Sequence, residues 1–340
     1  MIKRQAMLVL IMLAVLCSAA IAAPLTPHAE MRAIRDEASG AVNVELKVFD
    51  GTRQTAVYEK SVPEGIKKLE DFDTWYEELF ALTYLSGDYG RLWKNLRSKT
   101  RKLTKDFMTR EMAAALEGLK LLVVVEEQYP FPADTFRIGD RWLFEIVPIV
   151  HSPTGGVKDP ADDYEYGSIL VMDCQGPVDR EGEEAPRVMG HLEKLPDVKS
   201  SMELTLENEI AAAKIQTPGY DVLHLATHAH PDEFFPGRGD AGITVGRLRG
   251  LDVPFRFILS TGCNTGNPLF AGAVLDEDTL FYVASMYKTA GKDGEILAGL
   301  FYPQLFAGAS PFDVFYRVKQ RITGKKSDMP DILRFAFYVR

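Results

Sequence analysis

The chain has 340 residues, of which 46% are hydrophobic and 10% aromatic, and a formal net charge of −9. That composition supports a sizeable buried core and excludes a disordered or fibrous chain, while the acidic balance excludes a general attraction to nucleic-acid phosphates. Three cysteines in a chain of this length exclude a disulfide framework.

Lys3 and Arg4 precede an apolar stretch from Ala6 to about Ala20 that ends in the small-residue run SAAIAAP, which predicts a secretory signal (residues 1–23) cleaved after Ala22 or Ala23. The apolar run is short and no stop-transfer charges follow, so no membrane span is expected after cleavage. The product is expected to be exported, periplasmic or secreted. Leu16 before Cys17 spoils the small-residue site that lipid attachment needs, and cleavage leaves Cys174 and Cys263.

Residues 24–64 read as a strand-containing N-terminal segment, in which Val42 to Asp50 alternates like an edge strand with one wet face. From residue 65 to 340 the pattern is that of one larger domain. Phe72, Trp75, Tyr76, Leu79 and Phe80 recur at helical spacing, as do Leu103, Phe107, Met112 and Ala115. Short β-branched runs at Leu119–Glu127, Ser168–Cys174, Asp221–His228, Phe255–Cys263 and Thr279–Ser285 read as buried strands. Gln175 to Lys194 is rich in charge, Gly and Pro and reads as an exposed loop, whose acidic part from Asp179 to Glu184 is a candidate processing site. Ile296, Leu300, Phe301 and Leu305 mark another helix. A last one is expected to start with Ser310 as N-cap, Pro311 as first helical residue and Asp313 as the reaching acid. The apolar end, ILRFAFYV, reads as a docked segment. Strands separated by helices predict an α/β fold, a three-layer sandwich with a mostly parallel central sheet.

Two stretches carry the chemistry: YDVLHLATHAHPDEF, Tyr220 to Phe234, and FRFILSTGCNTG, Phe255 to Gly266. In open parallel sheets reactive groups gather at the carboxyl ends of the strands, and both stretches end there. Alternation puts His224, Ala226 and His228 on one face, with His224 expected as a core histidine whose ring is hydrogen-bonded and His230 in a surface or supporting role. If the two strands are neighbours, their ends lie roughly 5 Å apart, and a thiol beside an imidazole is activated for attack on a carbonyl. A metal site drawn from His228, His230, Asp232 and Cys263 is the weaker reading, because the second stretch supplies one ligand only. A buried inert cysteine is the bland one. Against it stand Gly262 before the thiol and Asn264, Thr265 and Gly266 after it, which suit a nucleophile at a sharp turn.

The segments HLATHA, ILSTGCNTG, YVASMY and FYPQLFAGASPFDVFYRVKQ resemble the CHAT family, caspase-like peptidases found beside tetratricopeptide repeats and belonging to the clan of caspases, separase and gingipains. So do LKLLVVVEEQYPFPADTFRIGDRWLFEIVPIVHSPTGG and LTLENEIAAAKIQTPGYDVLHLATHA, so that the likeness runs from about Asp71 to Ile322. The resemblance implies a caspase-haemoglobinase-like fold and a catalytic dyad of His228 and Cys263. It also implies an oxyanion site made by the backbone N–H groups of Cys263 and Ala229, with Ala229 standing where the family usually has Gly and costing about 1 kcal/mol if a positive φ is required.

The family's acids that receive a basic substrate side chain are altered here: Tyr287 replaces the usual Trp, Lys288 adds a positive charge, and Ala290 and Gly291 stand where acids are common. Asp293, Glu295 and Asp173 are the candidate substrate-binding acids. The insert between His228 and Cys263 is short and the helix after Gly266 trimmed, which implies a shallow groove. The family's strand order separates Cys174 from Cys263 by two strand spacings, about 9 to 10 Å, so both thiols are expected free. The implied function is an exported cysteine endopeptidase acting on a peptide or protein substrate, with no cofactor, no nucleic-acid partner and a regulatory partner. The alternative is a catalytically silent CHAT-like module that holds a peptide or partner in the same cleft.

Overall fold

The structure, a computed structural model, describes residues 27–155, 164–174, 184–236, 242–288, 291–325 and 330–340. The signal expectation, most of the acidic loop and Ala290 lie outside the described residues. Strands β1 (His28–Asp36), β2 (Ala41–Asp50) and β3 (Arg53–Val62) form an antiparallel meander, followed by helices α1 (Gly65–Ser86), α2 (Tyr89–Phe107) and α3 (Arg110–Ala115). Then come β4 (Leu121–Val125), a small hairpin of β5 (Arg137–Ile138) and β6 (Arg141–Trp142), and β7 (Ile149–Ser152). The second half runs β8 (Ser168–Asp173), α4 (Glu184–Leu192), β9 (Lys199–Leu204), α5 (Asn208–Ile215), β10 (Val222–Ala226), β11 (His228–His230), β12 (Glu233–Phe235) and β13 (Ile243–Thr244). It continues through α6 (Val245–Leu248), β14 (Phe257–Ser260), α7 (Pro268–Val274), β15 (Phe281–Ser285), α8 (Gly291–Leu305), α9 (Pro311–Lys325) and β16 (Phe335–Val339). Among the described residues no helix is long and apolar enough to cross a membrane.

One 11-stranded sheet organises the molecule, in the order β3-β2-β1-β4-β7-β16-β15-β14-β10-β8-β9. Beyond β2 and β3 of the antiparallel meander at one edge, it consists of two parallel blocks facing opposite ways. β1, β4, β7 and β16 run one way, β15, β14, β10, β8 and β9 the other, and the antiparallel β15/β16 pair is the seam. The central strands β4, β10, β14, β15 and β16 are buried at every position, as strands covered on both faces must be.

Several expectations change. β2 is not the edge: β3 covers its outer side, and β1 pairs with β4 over five residues, so nothing divides the sheet near residue 64. The apolar C-terminal run is a central strand of that sheet. Part of the expected exposed loop is instead α4, which buries Glu184, Ala185, Val188 and Leu192; Pro186 is tolerated there because a first-turn N–H has no intrahelical acceptor. α9 begins as expected, with the Asp313 N–H donating to Ser310 Oγ at 3.2 Å.

Candidate active site

β10 and β14 are parallel neighbours, with Leu225 opposite Ser260. The pairing runs one residue further, because Thr261 donates to the Leu225 carbonyl from its N–H at 3.1 Å and from its hydroxyl at 3.3 Å. Beyond this point both chains turn. The first leaves the large sheet at Thr227 and enters a three-stranded ribbon, β11–β12–β13, with His228 as its first residue. The second bends through Gly262, Cys263 and Asn264. His228 and Cys263 thus each lie two residues past the end of strands that are hydrogen-bonded to one another, and both are half-buried.

The two turns pack tightly. A Cβ on Gly262 would lie 2.9 Å from Thr227 Cγ2, 3.0 Å from Thr265 Cγ2 and 3.2 Å from Ala229 Cβ. A Cβ on Gly266 would meet the backbone of Ala284, Ser285 and Met286 at 2.6 to 2.7 Å. Neither glycine has a positive φ. They serve close approach, and the left-handed residue of the turn is Asn264, at φ 59°, a conformation asparagine tolerates better than most side chains. Ala229 is in extended β structure, so its Cβ costs the backbone nothing there.

Hydrogen bonds over-determine the cysteine turn. The Asn264 N–H donates to the Tyr287 carbonyl at 3.1 Å, and the Gly266 N–H to that of Ser285 at 2.6 Å. Thr265 Oγ1 donates to the Gly262 carbonyl at 2.9 Å, and Tyr282 OH to that of Thr265 at 3.0 Å. Tyr287 is itself gripped by α1: its ring meets Tyr76 edge-on at 5.1 Å and hydrogen-bonds Asp73, whose carboxyl is pushed up by burial to about 7. Lys288 reaches Glu77 of the same helix at 3.1 Å. Sequence reasoning noted Tyr287 for specificity; its carbonyl instead fastens the turn that carries the thiol.

The other expected residues are distributed as follows. His224 is fully buried, with Nδ1 2.7 Å from the Tyr302 hydroxyl and Nε2 3.2 Å from Glu184 Oε1, a core histidine. His230 is exposed and meets the Phe235 ring edge-on at 5.0 Å. Asp173 ends β8 opposite Ala226, and Asp293 lies in the first turn of α8; both are 7% exposed. Gly294, next to Asp293, is seated on Thr261 and Glu184, so the start of α8 abuts the end of the cysteine strand. Glu295 is turned elsewhere, 2.9 Å from Arg187 of α4. Cys174 is buried 3.3 Å from Thr205 Oγ1, on the far side of β10 from Cys263, and the two are not joined by a disulfide; burial pushes the thiol of Cys174 up to about 12. Among the described residues no three His, Cys, Asp or Glu side chains converge as a metal site requires.

A second polar cluster escaped sequence reasoning. His151 on β7 is fully buried between two carboxylates, with Nδ1 2.9 Å from Glu126 and Nε2 2.6 Å from Asp134. Lys319 of α9 donates to Asp134, and Tyr338 OH to Glu126 at 3.1 Å. Burial alone would lower the imidazole, but the two carboxylates outweigh it and bring His151 up to about 9.

No protein-family model and no curated protein matches the chain. Among solved structures it is similar to two crystal structures of the Saccharomyces cerevisiae separase-securin complex. The structure at 3.0 Å matches with a TM-score of 0.51 and 10% identity, that at 2.6 Å with 0.53 and 9%. Each match covers 92% of this chain and 30% of the other. At that identity the likeness carries the fold, a mixed α/β caspase-like architecture with a large, mostly parallel central sheet.

Proposed function

We propose that the chain is an exported caspase-like cysteine endopeptidase of CHAT type, in which His228 and Cys263 form the dyad. The observation that supports this reading is that β10 and β14 are hydrogen-bonded parallel neighbours and that His228 and Cys263, just beyond their carboxyl ends, are both half-buried. His228 takes the thiol proton as the sulfur of Cys263 attacks the substrate carbonyl carbon, and the backbone N–H groups of Cys263 and Ala229 hold the oxyanion. As the C–N bond breaks, His228 returns that proton to the leaving amine. Water then attacks the thioester, giving one proton to His228 and its hydroxide to the acyl carbon, and the proton restores the thiol. Asp173 and Asp293, acids near the rim, are assigned to a basic side chain before the cut. The separase-like fold, found in a structure solved with securin, supports a protein substrate or a protein partner.

The test is labelling with a thiol-reactive peptide probe. Wild type should label at Cys263, and both Cys263→Ala and His228→Ala should lose labelling. Slow modification that ignores His228 would instead support a peptide-holding module without turnover. One observation favours that second reading: Glu295, a candidate acid, is already engaged by Arg187.

A further inference from the structure

We propose that Asn267 is a positioning residue that sets the histidine loop against the cysteine turn; this rests on the dyad reading above. Asn267 is 6% exposed and sits at the N-cap of α7. Its Oδ1 accepts from the Leu269 N–H at 2.9 Å and the Phe270 N–H at 3.1 Å, so one half of the amide starts the helix. Its Nδ2 donates to the Asn264 carbonyl at 2.6 Å and to the Pro231 carbonyl at 3.0 Å. Two N–H groups face the oxygen and two carbonyls face the nitrogen, so all four bonding valences are used and the amide has one workable orientation.

The two carbonyls it joins belong to the two halves of the site. Asn264 follows Cys263 directly. Pro231 lies in the turn between β11 and β12, three residues after His228. The β11–β12 ribbon leaves the large sheet at Thr227, so the position of His228 relative to the cysteine turn depends on what holds the ribbon down. The side chains of Thr227 and Ala229, close against Gly262, are one restraint, and the Nδ2 bridge to Pro231 is a second. An Nδ2–H fork of this kind fixes a distance, and dyad chemistry falls by about 100-fold for a misplacement near 1 Å.

The dual role makes the inference testable without unfolding the site, because Asp and Ser cap helices about as well as Asn but offer no Nδ2 donors. The rate of Cys263 alkylation by iodoacetamide is followed from pH 5 to 9 in wild type, His228→Ala, Asn267→Asp and Asn267→Ser, with thermal melts of each. Wild type should alkylate at low pH through His228. Asn267→Ser should keep its melting temperature. Asn267→Asp should melt lower, because a carboxylate oxygen would face the Asn264 and Pro231 carbonyls. Both should lose the low-pH limb, approaching His228→Ala with a loss on the order of 100-fold near pH 6. A profile unchanged from wild type in either folded variant overturns the inference alone, as does a lowered melting temperature with an unchanged profile. A wild-type thiol already indifferent to His228 overturns the proposed function and this inference together.

Discussion

His151 lies within a buried strand and His228 just beyond the end of another, and the fold treats them in opposite ways. His151 is sealed, both ring nitrogens matched by carboxylates that are themselves 1% exposed. His228 stands at the junction of the large sheet and the ribbon, half-open to solvent. A charge buried with its partners rigidifies and does no work on a substrate, whereas an imidazole at a seam between two elements can meet one. The contrast predicts that the two histidines separate stability from chemistry.

The largest effect expected is on chemistry: Cys263→Ala should abolish probe labelling and His228→Ala should reduce it by about 10² to 10⁴-fold, with melting temperatures near wild type. If His228→Ala instead melted the protein, the contrast would collapse. His151→Ala should cost about 3 to 5 kcal/mol in urea unfolding, since it leaves the buried carboxylate of Glu126 without its cationic partner, while Asp134 keeps Lys319. The pH dependence sharpens this. His151 titrates near 9 in the folded protein and near 6.5 when unfolded, so its stabilisation is complete below pH 6.5 and fades as the pH rises through 9, by on the order of 3 kcal/mol. Asp73 is also raised, to about 7, so its separate contribution fades between about pH 4 and 7; Asp73→Asn should remove that lower slope and leave the upper one. Gly266→Ala, meeting rigid backbone at 2.6 Å, should cost about 1 to 3 kcal/mol, and Gly262→Ala somewhat less while slowing labelling. Smallest is Asn264→Ala, up to about 1 kcal/mol for losing the short polar side chain that eases a positive φ, read as a shift in the urea midpoint.

The strand runs around His224 and Cys263 were legible because a strand buried on both faces is an unbroken apolar word. β3 was not, because an outermost strand with exposed Arg53, Gln54, Thr55 and Glu59 has no apolar face to alternate. Its invisibility is why β2 reads as the edge. β16 was legible as apolar but not as central, since a short apolar run looks the same whether it docks or pairs on both sides. At the candidate site the local sequence shows the thiol, the imidazole and the flanking glycines. It does not show that Gly262 and Gly266 provide clearance, because the atoms they avoid belong to other strands. The His151 cluster is the extreme case: Lys319 and Asp134 are 185 positions apart, and nothing near either forecasts the other.

β16 has one more consequence, for the order in which the molecule can be made. It lies between β15 and β7, in the middle of the sheet, yet it follows every other strand of that sheet in chain order. Until residues 335–339 emerge, β7 and β15 each present a bare ladder of peptide groups, and the two oppositely running blocks have no shared border. Assembly of the sheet therefore has to wait for a long-range insertion, a slow kind of closure that leaves its middle open until residues 335–339 are in place.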